Sequence, residues 1–293
     1  MTRYYIYALL ANVFWSFSFI WMKQALSAYQ PLTVVLFRVG IAAMLMLAIS
    51  KVMRKLQKVQ PADLARLALL SFFEPFMYFM GESYGLQYLS PTVASVIVAL
   101  IPLFTTIAAW FFHGERMSLW NYIGLVVSFA GVALVVVNTA TGMLVSPKGV
   151  ALEFVAVLSS IGFAVVLKRV ADRYNGFTIV CYQNLFGALF FLPLWIGLEM
   201  PSTVYAPFHS GAFTAIVLLA VFSSSLAFVF YTAGIRRLGL NRTAMFINIM
   251  PVFVAVFSYF IFDERLGFQK IAGIAIVISG LFIAGKQAKR TVI

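Results

Sequence analysis

Ionisable side chains inside apolar stretches are the residues of this chain best suited to chemistry. The clearest set is Ser71, Glu74, Tyr78 and Glu82, which follow one another at i, i+3, i+7 and i+11. At about 100° per residue, this spacing places all four on one face of a helix. A charge in hydrocarbon costs roughly 2.5 kcal/mol or more, so an acidic residue there is a candidate functional group.

Glu74 has two interpretations. Its carboxyl group either binds a proton or a cation directly, or it neutralises Arg38 in the preceding apolar stretch, and the two roles overlap. Pro75 follows it and predicts a kink that widens a cavity. Glu82 lies nearer the end of the same helix, where hydration is the alternative to a role in a site.

A second polar and aromatic stripe lies in the first apolar stretch, at Asn12, Trp15, Ser16, Phe19 and Lys23. The Trp15 ring suits a cavity wall, although such a stripe often serves only helix packing. With Phe19 and Tyr78 it is also suited to an aromatic cage for a cation beside Glu74. The full set of predicted substrate-binding residues is Trp15, Phe19, Arg38, Glu74, Tyr78, Glu82, Ser224, Tyr231 and Asn248.

The elements that must position these residues are long apolar segments. Of the 293 residues 63% are apolar and 10% charged, and the mean hydropathy is +0.98, a composition typical of proteins in lipid. A helix needs about 20 apolar residues to cross a bilayer. Ten segments fit, at 4–24, 31–50, 64–85, 90–112, 119–138, 147–167, 177–198, 211–235, 242–262 and 267–285. The sequence thus predicts an all-α integral membrane protein.

The distribution of positive charge predicts an orientation. With a cytoplasmic N-terminus, sixteen Lys and Arg residues fall on the inside, four on the outside and one, Arg38, within a span. Both termini are therefore predicted to be cytoplasmic. The net charge of +12 is explained by these short loops, so nucleic acid is not an expected partner.

The chain repeats itself. Lys23 and Thr33 recur 145 residues later, and from Gly85 onward the spacing is 149, as in Pro102 and Pro251. We expect two five-helix repeats, 1–143 and 144–293. Because five is odd, the second must enter the membrane from the opposite side, and inverted repeats around a central cavity are typical of alternating-access carriers.

Each half ends in a proline, a Glu-Arg pair and two glycines seven residues apart, and Trp15-Ser16 lies in the first helix. In these features the chain resembles the drug/metabolite transporter superfamily, specifically its EamA-type ten-helix permeases. The resemblance implies a carrier in the cytoplasmic (inner) membrane, often an exporter of amino acids or other small metabolites. It also implies that the fifth and tenth helices are peripheral and that the others enclose the cavity.

Several residues of the repeated hairpins are expected to act in gating or structure. Pro102 and Pro251 predict kinks in equivalent helices, with a use in gating. The pairs Glu115-Arg116 and Glu264-Arg265 are interpreted as structural hinge pairs. Glycines of the fifth and tenth helices permit close contacts, so we expect a monomer or a weak homodimer.

The composition of the predicted cavity suits a small zwitterion with an apolar portion. Arg38 would bind its carboxylate and Glu74 its amine. The alternative substrate is an amphipathic or quaternary-amine cation, moved with or without protons. Neither an enzyme motif nor a channel filter is found, and a single cysteine, Cys181, with two separated histidines predicts no disulfide, metal site or cofactor.

Overall fold

The computed structural model describes residues 2–105, 107, 119–136, 145–205, 207–239 and 243–285, and in these residues the regular structure is helical. We number the main segments α1 to α10. They are α1 Thr2–Ala25, α2 Pro31–Val52, α3 Pro61–Tyr88, α4 Pro91–Thr105, α5 Leu119–Val136, α6 Pro147–Ala171, α7 Gly176–Leu198, α8 Ser210–Leu238, α9 Phe246–Phe262 and α10 Phe268–Gly285. A short helix, Met200–Val204, follows α7.

Within the described ranges, seven helices are long and apolar enough to span a membrane. The helices α4 and α9 are apolar but shorter, and so is the apolar segment Phe268–Ile283 of α10. The predicted fourth span, 90–112, and ninth span, 242–262, each include positions outside the described residues. The chain is thus a multi-pass membrane protein, and the count of ten spans stays a prediction.

The helices begin where the turn residues predict. Four of them start with proline at the first helical position, where the missing N–H costs nothing. Ser90 caps α4 through the Val93 N–H, Ser146 caps α6 through the Gly149 N–H, and Asn175 accepts from the Thr178 N–H at 2.9 Å.

Two helices depart from regular α geometry at equivalent places. A π-helical segment, Phe72–Met77, interrupts α3, and another, Leu219–Ala227, interrupts α8. At Glu74 the backbone is extended, with φ −146° and ψ 114°. The prediction of one continuous polar face on this helix was therefore wrong for Ser71, whose hydroxyl donates to the Leu67 carbonyl at 2.8 Å.

The helices pack in reciprocal pairs. The second helix of each half contacts its counterpart, α2 against α7, and the same holds for α4 with α9 and α5 with α10. The first helix of each half packs on the third helix of the other, α1 on α8 and α6 on α3. The helices of one half thus find their partners largely in the other half.

Glycines bring α5 and α10 into backbone contact. A Cβ atom added at Gly131 would lie 2.7 Å from the Val277 nitrogen and 2.8 Å from the Gly273 carbonyl oxygen. At Gly280 it would lie 2.7 Å from the Gly124 carbonyl oxygen. These glycines, considered above as contacts for a second copy, pack against each other within the chain.

Substituting Gly131 by alanine is expected to lower the free energy of unfolding by about 1–3 kcal/mol, because the added methyl group must push two backbones apart. Thermal unfolding in detergent measures the loss. The matched control is Gly40→Ala in α2, where no atom lies within 4 Å of the added carbon. A lower melting temperature in the control than in Gly131→Ala would contradict the close packing of α5 and α10.

The helices that contain the paired prolines are irregular just before them. In α4 the α-helical run ends at Val98 and a turn precedes Pro102. In α9 a 3-10 helix, Met245–Ile249, precedes Pro251. The kinks therefore lie where the prolines predicted them, and their use in gating stays a prediction.

Candidate functional site

A cavity lies in the interior of the helix assembly. Its lining comes from α1, α2, α3, α4, α6, α8 and α9 with the residues just before α9. The lining residues are Trp15, Ser18, Phe19, Arg38, Glu74, Tyr78, Phe79, Glu82, Val98, Ile101, Thr105, Ser160, Phe163, Ala164, Phe228, Tyr231, Ala244, Ile247 and Met250. Among the described residues, α5 and α10 contribute none, as expected for peripheral helices, and α7 also contributes none.

The largest fully buried side chain in the cavity wall is Arg38, which is 1% exposed. Its Nε donates to Ser224 Oγ at 2.7 Å and its Nη2 to Ser223 Oγ at 2.9 Å. Its Nη1 lies 3.5 Å from Glu82 Oε2, and its guanidinium carbon is 3.8 Å from the centre of the Phe79 ring. The planar guanidinium is therefore held on several sides and presents a fixed positive charge.

Of the two interpretations of Glu74, the ion pair with Arg38 was wrong. The ion pair is made by Glu82, eight residues further along α3 than Glu74. Glu82 is 2% exposed, so the alternative that it is hydrated at the helix end was wrong as well. Within the described part of the chain no ion pair reaches Glu74, whose carboxyl group lines the cavity.

Part of the cavity wall is aromatic. The Trp15 ring lies 5.1 Å from the Phe228 ring and 4.9 Å from the Tyr231 ring, both edge to face. Phe163 packs at 5.9 Å from Phe228 in the same manner. The lining thus combines charged and aromatic side chains, a combination suited to a ligand with both characters.

The structure brings most of the predicted binding residues together. The cavity lining includes Trp15, Phe19, Tyr78 and Tyr231 together with Arg38. Ser224 does not line the cavity, but it accepts a hydrogen bond from Arg38 and orients the guanidinium group. Asn248 does not line the cavity, and its buried Oδ1 has no hydrogen bond among the described residues. The binding roles themselves stay predictions.

Several lining residues were missed from the sequence. Phe79, Phe163 and Phe228 belong to a chain with 30 phenylalanines, so nothing in their type distinguishes them. The equivalence of the two halves could have found them, because Phe79 and Phe228 are 149 residues apart and Ser18 and Phe163 are 145 apart.

Many of the lining residues occupy equivalent positions in the two halves. Fourteen lining residues form pairs separated by the two offsets, 145 in the first helices and 149 later. The pairs are Trp15 and Ser160, Ser18 and Phe163, Phe19 and Ala164, Phe79 and Phe228, Glu82 and Tyr231, Val98 and Ile247, and Ile101 and Met250. Arg38 and Glu74 have no such counterpart in the lining, so the fixed charge lies in one half.

The expected hinge pair Glu264-Arg265 is arranged differently. Glu264 accepts hydrogen bonds from Ser90 Oγ at 2.8 Å and Thr92 Oγ1 at 2.9 Å, and its ion pair is with Lys270 at 2.9 Å. The acidic group thus joins the start of α4 to the loop before α10, and the role of Glu264-Arg265 as a structural hinge pair stays a prediction. Glu115 and Arg116 lie outside the described residues.

The EamA-like transporter family matches residues 2–137 and 147–285, nearly the whole chain. The chain belongs to the EamA-like transporter family. Both segments of the match include cavity-lining helices, and the gap between them falls at the predicted junction of the two halves.

Relatives of this EamA-like chain are named as transporters. An uncharacterized transporter of Archaeoglobus fulgidus is 22% identical over 98% of this chain and 100% of its own length. The uncharacterized transporter YetK of Bacillus subtilis is 26% identical over 78% of this chain and 70% of its own. A probable terminal-alkyne amino-acid exporter of Streptantibioticus cattleyicolor is 25% identical over 95% and 92%.

A solved crystal structure shares the fold of this EamA-like chain. The two superpose with a TM-score of 0.73 at 18% sequence identity, covering 96% of this chain and 98% of the other. At this identity the comparison supports the arrangement of the helices and carries no information on the ligand.

Proposed function

We propose that this EamA-like protein is an alternating-access carrier that exports small metabolites such as amino acids across the cytoplasmic membrane. The observation that carries the proposal is the cavity itself, whose lining combines Arg38 and Glu74 with aromatic side chains. The naming of one relative as a probable amino-acid exporter supports the choice of substrate class.

The contacts of Arg38 leave room for a substrate carboxylate. Charge-assisted N–H···O bonds are usually about 2.7–2.9 Å long, whereas Arg38 Nη1 and Glu82 Oε2 are 3.5 Å apart. The long contact favours replacement of Glu82 by the carboxylate of a ligand. Glu74, without an ion pair among the described residues, is placed to receive the amine, and the rings of Trp15 and Tyr231 receive the apolar side chain.

The paired lining supports two related halves, 1–143 and 144–293, around the cavity. Reciprocal packing, α1 on α8 and α6 on α3, is the pattern that a two-fold axis generates. The equivalent π segments of α3 and α8 agree with it. Movement of one half against the other would open the cavity to each side of the membrane in turn.

Contacts between segments on the same predicted side support the ten-span topology, in which both termini lie on one side of the membrane, and the distribution of Lys and Arg favours the cytoplasm for that side. Segments predicted to be outside contact each other, as when Lys23 Nζ donates to the Leu86 carbonyl at 2.6 Å and Glu199 accepts from the Thr33 N–H at 2.7 Å. Segments predicted to be inside do the same, as when Arg173 pairs with Asp63 at 3.1 Å.

A quaternary-amine or amphipathic cation is the second candidate substrate. A cation cage consists of aromatic rings and a negative charge. In the cavity the rings would be those of Trp15, Phe228 and Tyr231, and the charge would be the carboxyl group of Glu74. Glu74 would bind the positive charge of such a cation, as it would bind the amine of an amino acid. The cation carries no carboxylate, so Arg38 would not contact the ligand.

Counterflow in proteoliposomes tests the proposal. Vesicles loaded with unlabelled phenylalanine or leucine are expected to take up the labelled amino acid transiently, and vesicles without protein are not. Labelled choline in parallel identifies the second candidate. Uptake no greater than in protein-free vesicles for zwitterions and cations alike would contradict the proposed function.

A further inference from the structure

One fully buried acidic group lies outside the cavity lining. Glu153, in the first half of α6, is 0% exposed. Among the described residues neither of its carboxyl oxygens has a hydrogen-bond partner. A buried charge without a partner is among the most expensive features a protein can contain, so this carboxyl group needs an explanation.

Glu153 packs against α3, the helix that carries the charges of the cavity. A Cβ atom added at Gly85 of α3 would lie 3.0 Å from Glu153 Oε1. Gly85 follows Glu82 by three residues, so the carboxyl group lies about one turn from the Arg38–Glu82 ion pair. On the two-half arrangement, Glu153 therefore lies where the first half meets the second.

Few ionisable groups face Glu153, and none of those found on the helices packed against it supplies a positive charge. From α3 the titratable neighbours are Tyr78 and Glu82. The helix α4, which also packs on α6, has no ionisable residue in Pro91–Thr105. The contacts between α6 and α8 lie further along α6, around Phe163. The helix α7 follows the end of α6 through a short turn.

On its own helix, the nearest cation is Lys148. Its side chain is exposed and donates to Tyr88 Oη at 2.8 Å, away from the buried carboxyl group. Arg38 is already held by Glu82 and two serines. Among the residues that the structure describes, no ion pair therefore neutralises this group.

A metal ion is a poor alternative. Hard cations require several oxygen ligands, and among the described residues no group of three or more His, Cys, Asp or Glu side chains could hold one. A proton needs a single oxygen atom. The surroundings of Glu153 thus fit the smallest cation and no larger one.

We propose that Glu153 is a proton-binding site between the two halves, occupied in the conformation described here and emptied to solvent when α3 and α6 separate during transport. The proton passes from a Glu153 carboxyl oxygen to water and leaves a hydrated carboxylate. The release step rests on the proposed carrier function. It assigns proton coupling to a residue outside the substrate cavity.

Infrared spectroscopy of the purified full chain in lipid nanodiscs tests the proton site without any substrate. The carbonyl band of protonated carboxylic acids is expected to lose one component in Glu153→Gln, and also in Glu153→Met if the first variant folds poorly. The control is Glu199→Gln, because both carboxyl oxygens of Glu199 already accept hydrogen bonds from backbone N–H groups, those of Leu32 and Thr33. An unchanged band in both Glu153 variants would overturn the proposal.

Transport driven by a pH gradient tests the release step. In the wild-type chain the gradient is expected to stimulate uptake of the counterflow substrate, and in Glu153→Gln the rates with and without the gradient are expected to be equal. Stimulation as large in Glu153→Gln as in the wild type would overturn the coupling. The infrared result stands independently, so failure of the carrier function and failure of the proton site are distinguishable.

Discussion

Replacing Arg38 by methionine is expected to lower the free energy of unfolding by about 3–5 kcal/mol and to abolish transport. The loss arises because Glu82 and the hydroxyl groups of Ser223 and Ser224 would remain buried without their partner. Chemical unfolding in mixed micelles measures the first effect, and counterflow in proteoliposomes measures the second.

A double variant separates the two effects of Arg38. Arg38→Met combined with Glu82→Met replaces the buried ion pair by apolar side chains, an exchange that is often neutral or stabilising. We expect it to recover most of the stability while transport remains absent. Full transport by the double variant would show that the positive charge does not contact the substrate. A stability loss below 1 kcal/mol in Arg38→Met, on the order of an exposed pair, would contradict the buried ion pair.

Replacing Glu74 by glutamine is expected to weaken apparent substrate affinity by about 10- to 100-fold, since a hydrogen bond to a charged group contributes about 1.5–3 kcal/mol. The melting temperature should not fall, because the carboxyl group lines the cavity and has no ion pair among the described residues. Counterflow over a range of substrate concentrations gives the affinity, and thermal unfolding gives the stability.

Ser71→Ala is the matched control for Glu74. The two residues were predicted to share one face of α3, but the Ser71 hydroxyl is bonded to Leu67 and lies outside the cavity lining. Its removal should leave transport nearly unchanged. Wild-type transport by Glu74→Gln at every pH would remove Glu74 from the mechanism.

Much of the fold follows from residues that act locally. Proline at a helix start and an Asn or Ser cap specify a boundary through the backbone around them, so the starts of α4, α6 and α7 were predictable. The repeat offsets were equally informative. They relate Trp15 to Ser160 and Val98 to Ile247 before any coordinate is considered, and these residues meet in the cavity.

The identity of the buried ion pair was not predictable from the sequence. The prediction assumed an unbroken helix with 100° per residue, but the extended backbone at Glu74 changes the phase between Ser71 and the residues that follow. Which of two carboxyl groups meets Arg38 then depends on tertiary packing. Likewise the hydrogen bonds of Glu264 with Ser90 and Thr92 could not be assigned from the sequence, because they join distant parts of the chain.

Glu153 was overlooked for a different reason, because the sequence did mark it as a candidate functional residue. An acidic residue within an apolar span is a functional candidate by itself, and Glu153 lies within the predicted span 147–167. It was missed because it belongs to no polar stripe of its own. Its significance depends on its surroundings, which are Gly85 of α3 and the carboxyl group of Glu82, already paired with Arg38.

The central claim is that two five-helix halves of opposite orientation enclose the cavity, and cysteine accessibility tests it most directly. Gln60 and Tyr205 are both exposed and both lie between the second and third long helices of their halves, 145 residues apart. With Cys181 replaced by serine, Gln60→Cys and Tyr205→Cys supply single labelling sites. Opposite orientation predicts that an impermeant thiol reagent reaches position 205 from outside intact cells and position 60 only from the cytoplasmic side. Labelling of both positions from the same side would contradict the account.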